Sequence, residues 1–208
     1  MPLLVDAAAQ LPPAANLRWF LDAGADLVAF SGGKAIGGPQ ASGILCGRGD
    51  LVASALLQML DLDVDVGAWT APGEFAALGQ LRGLPQTGIG RSCKVGKEEV
   101  AGLLAALERF VAADPAARAD GWRRSLQAIV DAAGPGVALR IEAGTVPLLV
   151  LQVGPGAAEL ARLLLTGTPR IACGLGRQEA GALLFNPMAL TVETGAAIGG
   201  RLRALLGG

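Results

Sequence analysis

Asp6 and Lys34 are the two side chains of this sequence whose types and positions best suit covalent chemistry on a small ligand. Asp6 follows the apolar run Leu3–Val5, and Lys34 stands shortly after a second apolar run, Leu27–Phe30. A lysine amine can form a Schiff base, which an arginine guanidinium cannot do, and a carboxylate can pair with a protonated ring nitrogen. Lysine is scarce here, since only three of the 17 basic residues are lysines, which makes Lys34 a selective candidate.

Each of these residues also has an ordinary interpretation when it is taken alone. Lys34 could be a solvated loop lysine, and Asp6 could be a cap or turn residue that follows a strand. A phosphate-binding P-loop does not fit Gly33-Lys34, because both the glycine five residues earlier and the following Ser/Thr are missing. The choice between these interpretations therefore depends on the elements that position the two residues.

The first apolar runs predict a βαβ unit. A strand at Leu3–Val5 is followed by a helix over Asn16–Ala23, which Gly24 ends, and then by a strand at Leu27–Phe30. The two strands should be parallel, with a right-handed crossover. A Gly/Pro-rich loop then leads to Ser42 and a third strand, and because this loop carries no helix the third strand, residues 43–46, should be antiparallel.

The rest of the chain predicts further helices and a second domain. An apolar helix over 50–60 and an irregular segment over 61–95 precede a strongly amphipathic helix over 98–111. After Asp114-Pro115 the pattern changes, and we expect a small α+β domain over 115–208, with 1–114 forming a larger α/β domain. Its predicted elements are helices over 118–133, 157–165 and 193–206 and strands over 137–142, 146–152, 170–173 and 182–185.

The predicted sheet brings Asp6 and Lys34 to the carboxyl ends of two strands, where open α/β sheets bind their ligands. Adjacent strands lie about 4.8 Å apart, so if these two strands are neighbours or nearly so, both side chains can reach one small planar molecule. Pyridoxal 5'-phosphate (PLP) requires a lysine amine and a carboxylate beside its ring nitrogen. Its phosphate requires hydroxyl or backbone N–H donors, which Ser31 and the surrounding glycines can supply.

Composition excludes several other classes of function. The net charge is −1 and the sequence has no cluster of basic residues, which nucleic-acid binding requires. Its three cysteines are far apart and it has no histidine, so neither a disulfide framework nor a zinc site is expected. The N-terminus lacks a signal-peptide pattern, and glycines and prolines interrupt the longest uncharged stretch, residues 143–158, which argues against a membrane span. We therefore expect a cytoplasmic protein without a bound metal.

Three segments carry a resemblance to a known family. Ser31-Gly-Gly-Lys-Ala-Ile-Gly-Gly-Pro-Gln-Ala-Ser-Gly-Ile-Leu resembles the Schiff-base segment of fold-type-I PLP enzymes. Val5-Asp-Ala-Ala-Ala-Gln resembles the strand that presents the pyridine-nitrogen aspartate, and Gly90-Arg-Ser-Cys-Lys-Val-Gly-Lys-Glu-Glu-Val resembles the approach to the long interdomain helix. The sequence is most similar to the family of bacterial selenocysteine synthase (L-seryl-tRNA(Sec) selenium transferase) and D-glucosaminate-6-phosphate ammonia-lyase. The resemblance implies the C-terminal half of that fold, a partial large domain with a small α+β domain.

The resemblance also implies a role for each candidate residue. Lys34 should form the Schiff base and move the proton of the substrate's α-carbon, Asp6 should pair with the ring nitrogen, and Ser31 should contact the phosphate. Gln10 is a candidate for a bond to the phenolic oxygen of PLP, although it stands one residue farther from Asp6 than in class V aminotransferases. Arg170 is a candidate for a substrate carboxylate or phosphate, with a surface arginine as the alternative.

The function that this resemblance implies is β-elimination or β-replacement on a small amino-acid-like substrate, as in an ammonia-lyase. Selenium transfer on seryl-tRNA remains open, because the family binds tRNA mainly through its N-terminal part. Enzymes of this fold are about twice as long and build active sites between subunits, so at least a dimer is expected. A non-catalytic remnant, or a subunit that an N-terminal partner completes, is the alternative from another class of protein.

Overall fold

The computed structural model describes residues 1–62, 65, 68–71, 73, 75 and 85–207. The chain divides into two compact units, Met1–Ala112 and Ala113–Gly208. The predicted irregular segment over 61–95 lies partly outside the described residues. Among the helices that are described, none is both long and apolar enough to cross a membrane.

The first unit contains a three-stranded sheet in the order β1-β2-β3. The strands are β1 (Leu4–Asp6), β2 (Leu27–Ser31) and β3 (Gly43–Gly47), and α1 (Asn16–Asp22) connects the first two. β1 and β2 are parallel neighbours, and β3 is antiparallel to β2. The predicted parallel and antiparallel pairings are both confirmed, because a helical crossover returns the chain in the same direction and a short loop reverses it.

The two faces of this sheet differ in burial. Val28 and Phe30 of β2 retain only 0% and 3% of their exposure, and they lie in the core of the first unit. On the opposite face, Leu4 and Leu45 remain 61% and 40% exposed. One face thus anchors the unit, where burying a side chain of this size contributes about 1.5–3 kcal/mol. The core consists of Ala7, Leu11, Val28, Phe30, Ile36, Leu103 and Phe110.

The described part of the first unit also contains two further helices and an ion cluster. The helices are α2 (Gly49–Gln58) and α3 (Lys97–Ala112), and a short 3-10 helix over Ile89–Cys93 precedes α3. Lys94 Nζ and Arg91 Nε each lie 2.6 Å from a carboxylate oxygen of Asp61. Hydrogen bonds from Lys94 and then Arg91 hold the pKa of Asp61 below its ordinary value, against a weaker opposing effect of burial.

The second unit is an α+β arrangement with an antiparallel sheet in the order β4-β5-β6. Its strands are β4 (Leu139–Glu142), β5 (Leu148–Gln152) and β6 (Ala182–Phe185). Its helices are α4 (Pro115–Ala133), α5 (Ala157–Thr166) and α6 (Val192–Leu206).

Two predictions for the second unit need correction. The helix predicted from residue 118 begins at Pro115, because the Asp114 carboxylate accepts a hydrogen bond from the Ala116 N–H and proline suits the first helical position. The strand predicted over 170–173 is wrong. Ile171 N–H donates to the Leu164 carbonyl at 2.9 Å instead, and sheet pairing in this segment is limited to a single bridge between Gly174 and Leu184.

Helices α4 and α6 approach each other closely because glycine faces the contact. A Cβ atom added at Gly195 would overlap the carbonyl of Ser125, and one added at Gly199 would overlap the carbonyl of Ile129. Only hydrogen fits at these two positions of α6. Around them lies the core of the second unit, which is formed by Leu126, Ile129, Ala133, Val137, Leu149, Leu151, Ala157, Leu160, Leu164, Ile171, Leu183, Phe185, Ile198 and Leu202.

Candidate cofactor site

Asp6 and Ser31 end two neighbouring parallel strands and lie on the same face of the sheet. Asp6 pairs in register with Ala29, and Ala7 N–H donates to the Ala29 carbonyl at 2.9 Å. Side chains alternate along a strand, so Ser31, two residues after Ala29, shares the face of Asp6. Because the strands are parallel, their carboxyl ends meet at one edge, and the chain enters the Lys34 segment from that edge.

Lys34 lies in a compact loop that joins β2 to β3. Gly37 N–H donates to the Lys34 carbonyl at 2.9 Å, and Gly38 N–H donates to the Gly32 carbonyl at 2.8 Å. Gly37 has a φ of +78°, a conformation that favours glycine. The Lys34 side chain is exposed, and its amine makes no hydrogen bond or ion pair within the part of the chain that the structure describes. The amine is therefore available to a ligand.

The returning limb of this loop closes against the two glycines that precede Lys34. Gln40 Nε2 donates to the Gly33 carbonyl at 3.1 Å, and Ser42 Oγ donates to the Pro39 carbonyl at 2.6 Å. Gly32 N–H donates to the Ser42 carbonyl at 2.9 Å. Sequence reasoning missed Gln40 and Ser42; the signal that could have found them is the pair of polar residues following Gly-Gly-Lys in one loop.

Asp6 and Gln10 lie together on the segment after β1. Asp6 Oδ1 accepts a hydrogen bond from Ala8 N–H at 2.9 Å, which is the turn contact expected of an aspartate after a strand. Gln10 N–H donates to the Ala7 carbonyl at 3.0 Å, and Asn16 Nδ2 donates to the Gln10 carbonyl at 2.6 Å. The backbone of Gln10 is thereby fixed, while both side chains remain exposed.

Arg170 belongs to the second unit and is described with it. It is exposed, and it follows Pro169 in the segment where the predicted strand is absent. It lines a cavity of about 250 Å³ on that unit together with apolar and hydroxyl side chains. The other lining residues are Pro169, Ile171, Ala172, Leu190, Thr194, Ala197 and Ile198.

The residues at the end of β1 and β2 fit the requirements of PLP. The polar groups at this edge are the amine of Lys34, the carboxylate of Asp6 and the hydroxyl of Ser31. The N–H groups of Gly33 and Lys34 donate no hydrogen bond to any described residue, so they are available to an anion. The small residues in the loop allow a close approach of a ligand to these donors.

Comparison with known proteins relates the whole chain to larger enzymes. It is 31% identical over 220 residues to 5'-C-glycyluridine monooxygenase-decarboxylase of Streptomyces sp, an alignment that covers 99% of this chain and 46% of that protein. It is 33% identical over 110 residues to D-glucosaminate-6-phosphate ammonia lyase of Salmonella typhimurium (strain 14028s / SGSC 2262), covering 53% of this chain and 21% of that protein. No family model matches the sequence. The chain therefore spans less than half the length of either relative.

Solved structures agree with this relationship. A structure of D-glucosaminate-6-phosphate ammonia-lyase superposes with a TM-score of 0.66 at 25% identity, covering 100% of this chain and 49% of that one. The apo structure of cysteine desulfurase from Thermococcus onnurineus NA1 gives a TM-score of 0.50 at 16% identity, covering 99% of this chain and 52% of that one, and supports the fold alone. The chain is thus a homologue of D-glucosaminate-6-phosphate ammonia-lyase with part of the fold-type-I architecture of PLP enzymes.

Proposed function

We propose that this chain forms the cofactor-attachment part of a PLP-dependent enzyme, with Lys34 as the attachment residue. The observation that carries the proposal is the placement of Asp6, Ser31 and the Lys34 loop at the shared end of two parallel strands. When bound, PLP supplies an electron sink that weakens the bonds at the carbon carrying the amino group of a substrate.

Three side chains have proposed roles at this site, together with two backbone N–H groups. The Lys34 amine attaches the cofactor and, once released, takes up or returns a proton at the substrate's α-carbon. The Asp6 carboxylate keeps a proton on the ring nitrogen, using the oxygen that Ala8 N–H does not occupy. Ser31 and the N–H groups of Gly33 and Lys34 bind the phosphate.

The remaining site residues are proposed to contact the periphery of the cofactor and the substrate. Gln10 bonds the phenolic oxygen of the ring, for which its fixed backbone and exposed side chain are suitable. Arg170, which belongs to the second unit, is proposed to bind an anionic group of the substrate, since its guanidinium suits a carboxylate or a phosphate and it lines a cavity of that unit.

We favour elimination of ammonia from a small amino-acid-like substrate as the reaction. The support is the homology in sequence and fold to an ammonia lyase, whose named substrate carries both a carboxylate and a phosphate. Oxidative decarboxylation is the second candidate, because the alignment with the monooxygenase-decarboxylase covers 99% of this chain. The two reactions differ in products, since elimination releases ammonia and decarboxylation releases carbon dioxide and consumes oxygen.

Selenium transfer to seryl-tRNA is another candidate reaction, which the resemblance to selenocysteine synthase suggests, and binding of seryl-tRNA would support it. A subunit completed by another polypeptide is a further candidate, favoured by the exposed Leu4 and Leu45 on the sheet face that carries Asp6. In that case the catalytic residues proposed above act only in the completed assembly, which we propose to be at least a dimer.

The proposal is tested by covalent attachment of PLP to the purified chain. PLP is added, the visible absorbance of lysine-bound cofactor is recorded, and borohydride fixes the product for peptide mass spectrometry. We expect the adduct on Lys34 and its loss in Lys34→Ala. The matched control is Lys97→Ala, which removes an exposed lysine at the start of α3 and should retain the adduct.

Two results would contradict the proposal. One is an adduct that persists in Lys34→Ala with the same yield and spectrum, which would place the attachment elsewhere. The other is the absence of any adduct both for the chain alone and for the chain mixed with a polypeptide that supplies the remaining part of the relatives' fold. That second result would favour a non-catalytic remnant.

A further inference from the structure

Gln40 makes a specific contact with the peptide unit that leads into Lys34. Its Nε2 donates to the Gly33 carbonyl at 3.1 Å, and that carbonyl belongs to the peptide bond between Gly33 and Lys34. The peptide bond is planar, so fixing its oxygen also fixes the direction in which the Lys34 backbone begins. The hydrogen bond from Gln40 therefore helps to fix the position of the Lys34 Cα atom, from which the side chain extends.

Gln40 also occupies the space next to Gly33. A Cβ atom added at Gly33 would lie 2.7 Å from Gln40 Cα, 2.8 Å from its Oε1 and 2.9 Å from its Cδ. These separations are shorter than ordinary contacts, so any side chain at position 33 would displace Gln40. The glycine before the lysine and the glutamine seven residues later are thus complementary in shape as well as in hydrogen bonding.

A second contact closes the same loop independently. A Cβ atom added at Gly32 would overlap Ser42 Oγ, and Gly32 exchanges backbone hydrogen bonds with both limbs of the loop. Gly32 N–H donates to Ser42, and the Gly32 carbonyl accepts from Gly38 N–H. This ladder keeps the loop closed without Gln40, so removal of the Gln40 side chain should loosen the Lys34 peptide and leave the fold in place.

We propose that Gln40 is a positioning residue for Lys34, which it orients through the Gly33 carbonyl. The proposal rests on the proposed attachment of PLP to Lys34. Gln40 does not contact the reacting atoms in this scheme. Its role is to restrict rotation of the peptide that precedes Lys34, so that the amine is presented toward the end of β1 and β2.

The test compares Gln40→Ala and Gln40→Glu with the wild-type chain. Gln40→Glu keeps the size of the side chain, but its carboxylate cannot donate a hydrogen bond to the Gly33 carbonyl. The matched control is Gln127→Ala, because Gln127 also donates a single side-chain hydrogen bond, to Asp131 at 2.8 Å, on the exposed face of α4 in the second unit. Circular dichroism establishes that each variant is folded.

Two measurements separate positioning from a general loss of structure. The first is the rate of borohydride-fixed PLP attachment at Lys34, together with the pH midpoint of the absorbance band of the attached cofactor. The second is amide hydrogen exchange of residues 31–42 without PLP. We expect both Gln40 variants to slow attachment about three- to tenfold, in line with loss of one exposed hydrogen bond, and to exchange faster around Lys34.

The possible results distinguish the positioning role of Gln40 from the proposed attachment of PLP at Lys34. Equal attachment and exchange in wild type and Gln40→Glu would overturn the positioning role, as would equal effects in Gln127→Ala. If the wild-type chain gains no adduct at Lys34 even when supplemented, the proposed function fails. The exchange data then still decide whether Gln40 orders the Lys34 peptide: unchanged exchange in Gln40→Ala would overturn that statement as well.

Discussion

Asp6 and Ala29 are register partners in neighbouring parallel strands, so the carboxylate that ends β1 faces the same side of the sheet as Ser31 at the end of β2. The backbone bond from Ala7 to Ala29 extends this pairing one residue beyond β1. The sheet therefore fixes the backbone of Asp6, and among the described residues its carboxylate accepts a hydrogen bond at one oxygen, from Ala8 N–H. The Asp6 carboxylate is therefore well placed to bind a ligand at this edge of the sheet.

Asp6→Asn should retain PLP attachment at Lys34 but lower turnover of an amino substrate about 10- to 100-fold, because a charge-assisted hydrogen bond is lost. Turnover is measured as ammonia release by the chain, or by its completed assembly. Asp22→Asn is the control, since Asp22 lies on the exposed side of α1, 3.9 Å from Arg18. Equal turnover of Asp6→Asn and wild type would exclude Asp6 from the reaction.

The contact between α4 and α6 predicts opposite effects for two adjacent glycines. Gly199→Ala should lower the free energy of unfolding by about 1–3 kcal/mol, because the new methyl group would overlap the Ile129 carbonyl and crowd Ala132. Gly200→Ala should raise that free energy by about 0.5–1 kcal/mol, because nothing lies within 4 Å of its added Cβ atom. Urea denaturation measures both variants, and the same sign for both would contradict this helix packing.

The Asp61 cluster predicts a defined dependence of stability on pH. Its pKa is lowered in the folded chain by Lys94 and Arg91, so the stabilisation is fully present above the ordinary aspartate pKa of about 3.9. It is lost as the pH falls from there through the lowered folded-state value. Urea midpoints of wild type and Asp61→Asn should therefore differ at pH 6 and converge toward pH 3.

Lys94→Gln provides the matched comparison for this ion cluster. It removes one partner that lies 2.6 Å from Asp61, and its effect should be less than additive with Asp61→Asn at pH 6. A difference between wild type and Asp61→Asn that stays constant from pH 6 to pH 3 would show that the carboxylate charge does not stabilise the fold.

The exposed sheet face predicts concentration-dependent self-association of the isolated chain. Leu4 and Leu45 lie on this face, 61% and 40% exposed, and β1 is an edge strand of the described sheet. Leu4→Lys should shift the chain toward monomer in sedimentation velocity. Leu165→Lys, which changes a leucine of α5 that is 54% exposed, should leave the distribution unchanged. Equal effects of the two changes would exclude the sheet face as the cause.

Sequence patterns predicted the elements that position the site because those elements depend on local signals. Apolar runs with an intervening amphipathic helix determined the parallel pairing of β1 and β2, and a helix-free loop determined the direction of β3. The segment 170–173 was predicted wrongly because Ile171–Cys173 form a short apolar run, which is typical of a strand, whereas Ile171 N–H bonds to the end of α5 at Leu164. Such a competing contact is not visible in the segment itself.

The loop contacts around Lys34 could not be predicted for a related reason. Which side chain of a closed loop faces Gly33 depends on the dihedral angles of all the intervening residues. One of these residues, Gly37, adopts a positive φ, and a glycine in a sequence does not by itself indicate that conformation. The link from Asp61 to Lys94 likewise joins residues 33 positions apart. Long-range contacts between side chains leave no periodic trace in a sequence.

The start of α4 at Pro115 has a consequence for dissecting the molecule. Asp114 provides this helix with its own N-terminal cap, and all residues of the second core lie between Leu126 and Leu202. A polypeptide that begins at Ala113 therefore contains both the initiation signal and the complete apolar interior of its unit. We therefore expect this polypeptide to fold by itself, so that binding of simple anions to Arg170 can be followed in its own nuclear magnetic resonance spectrum.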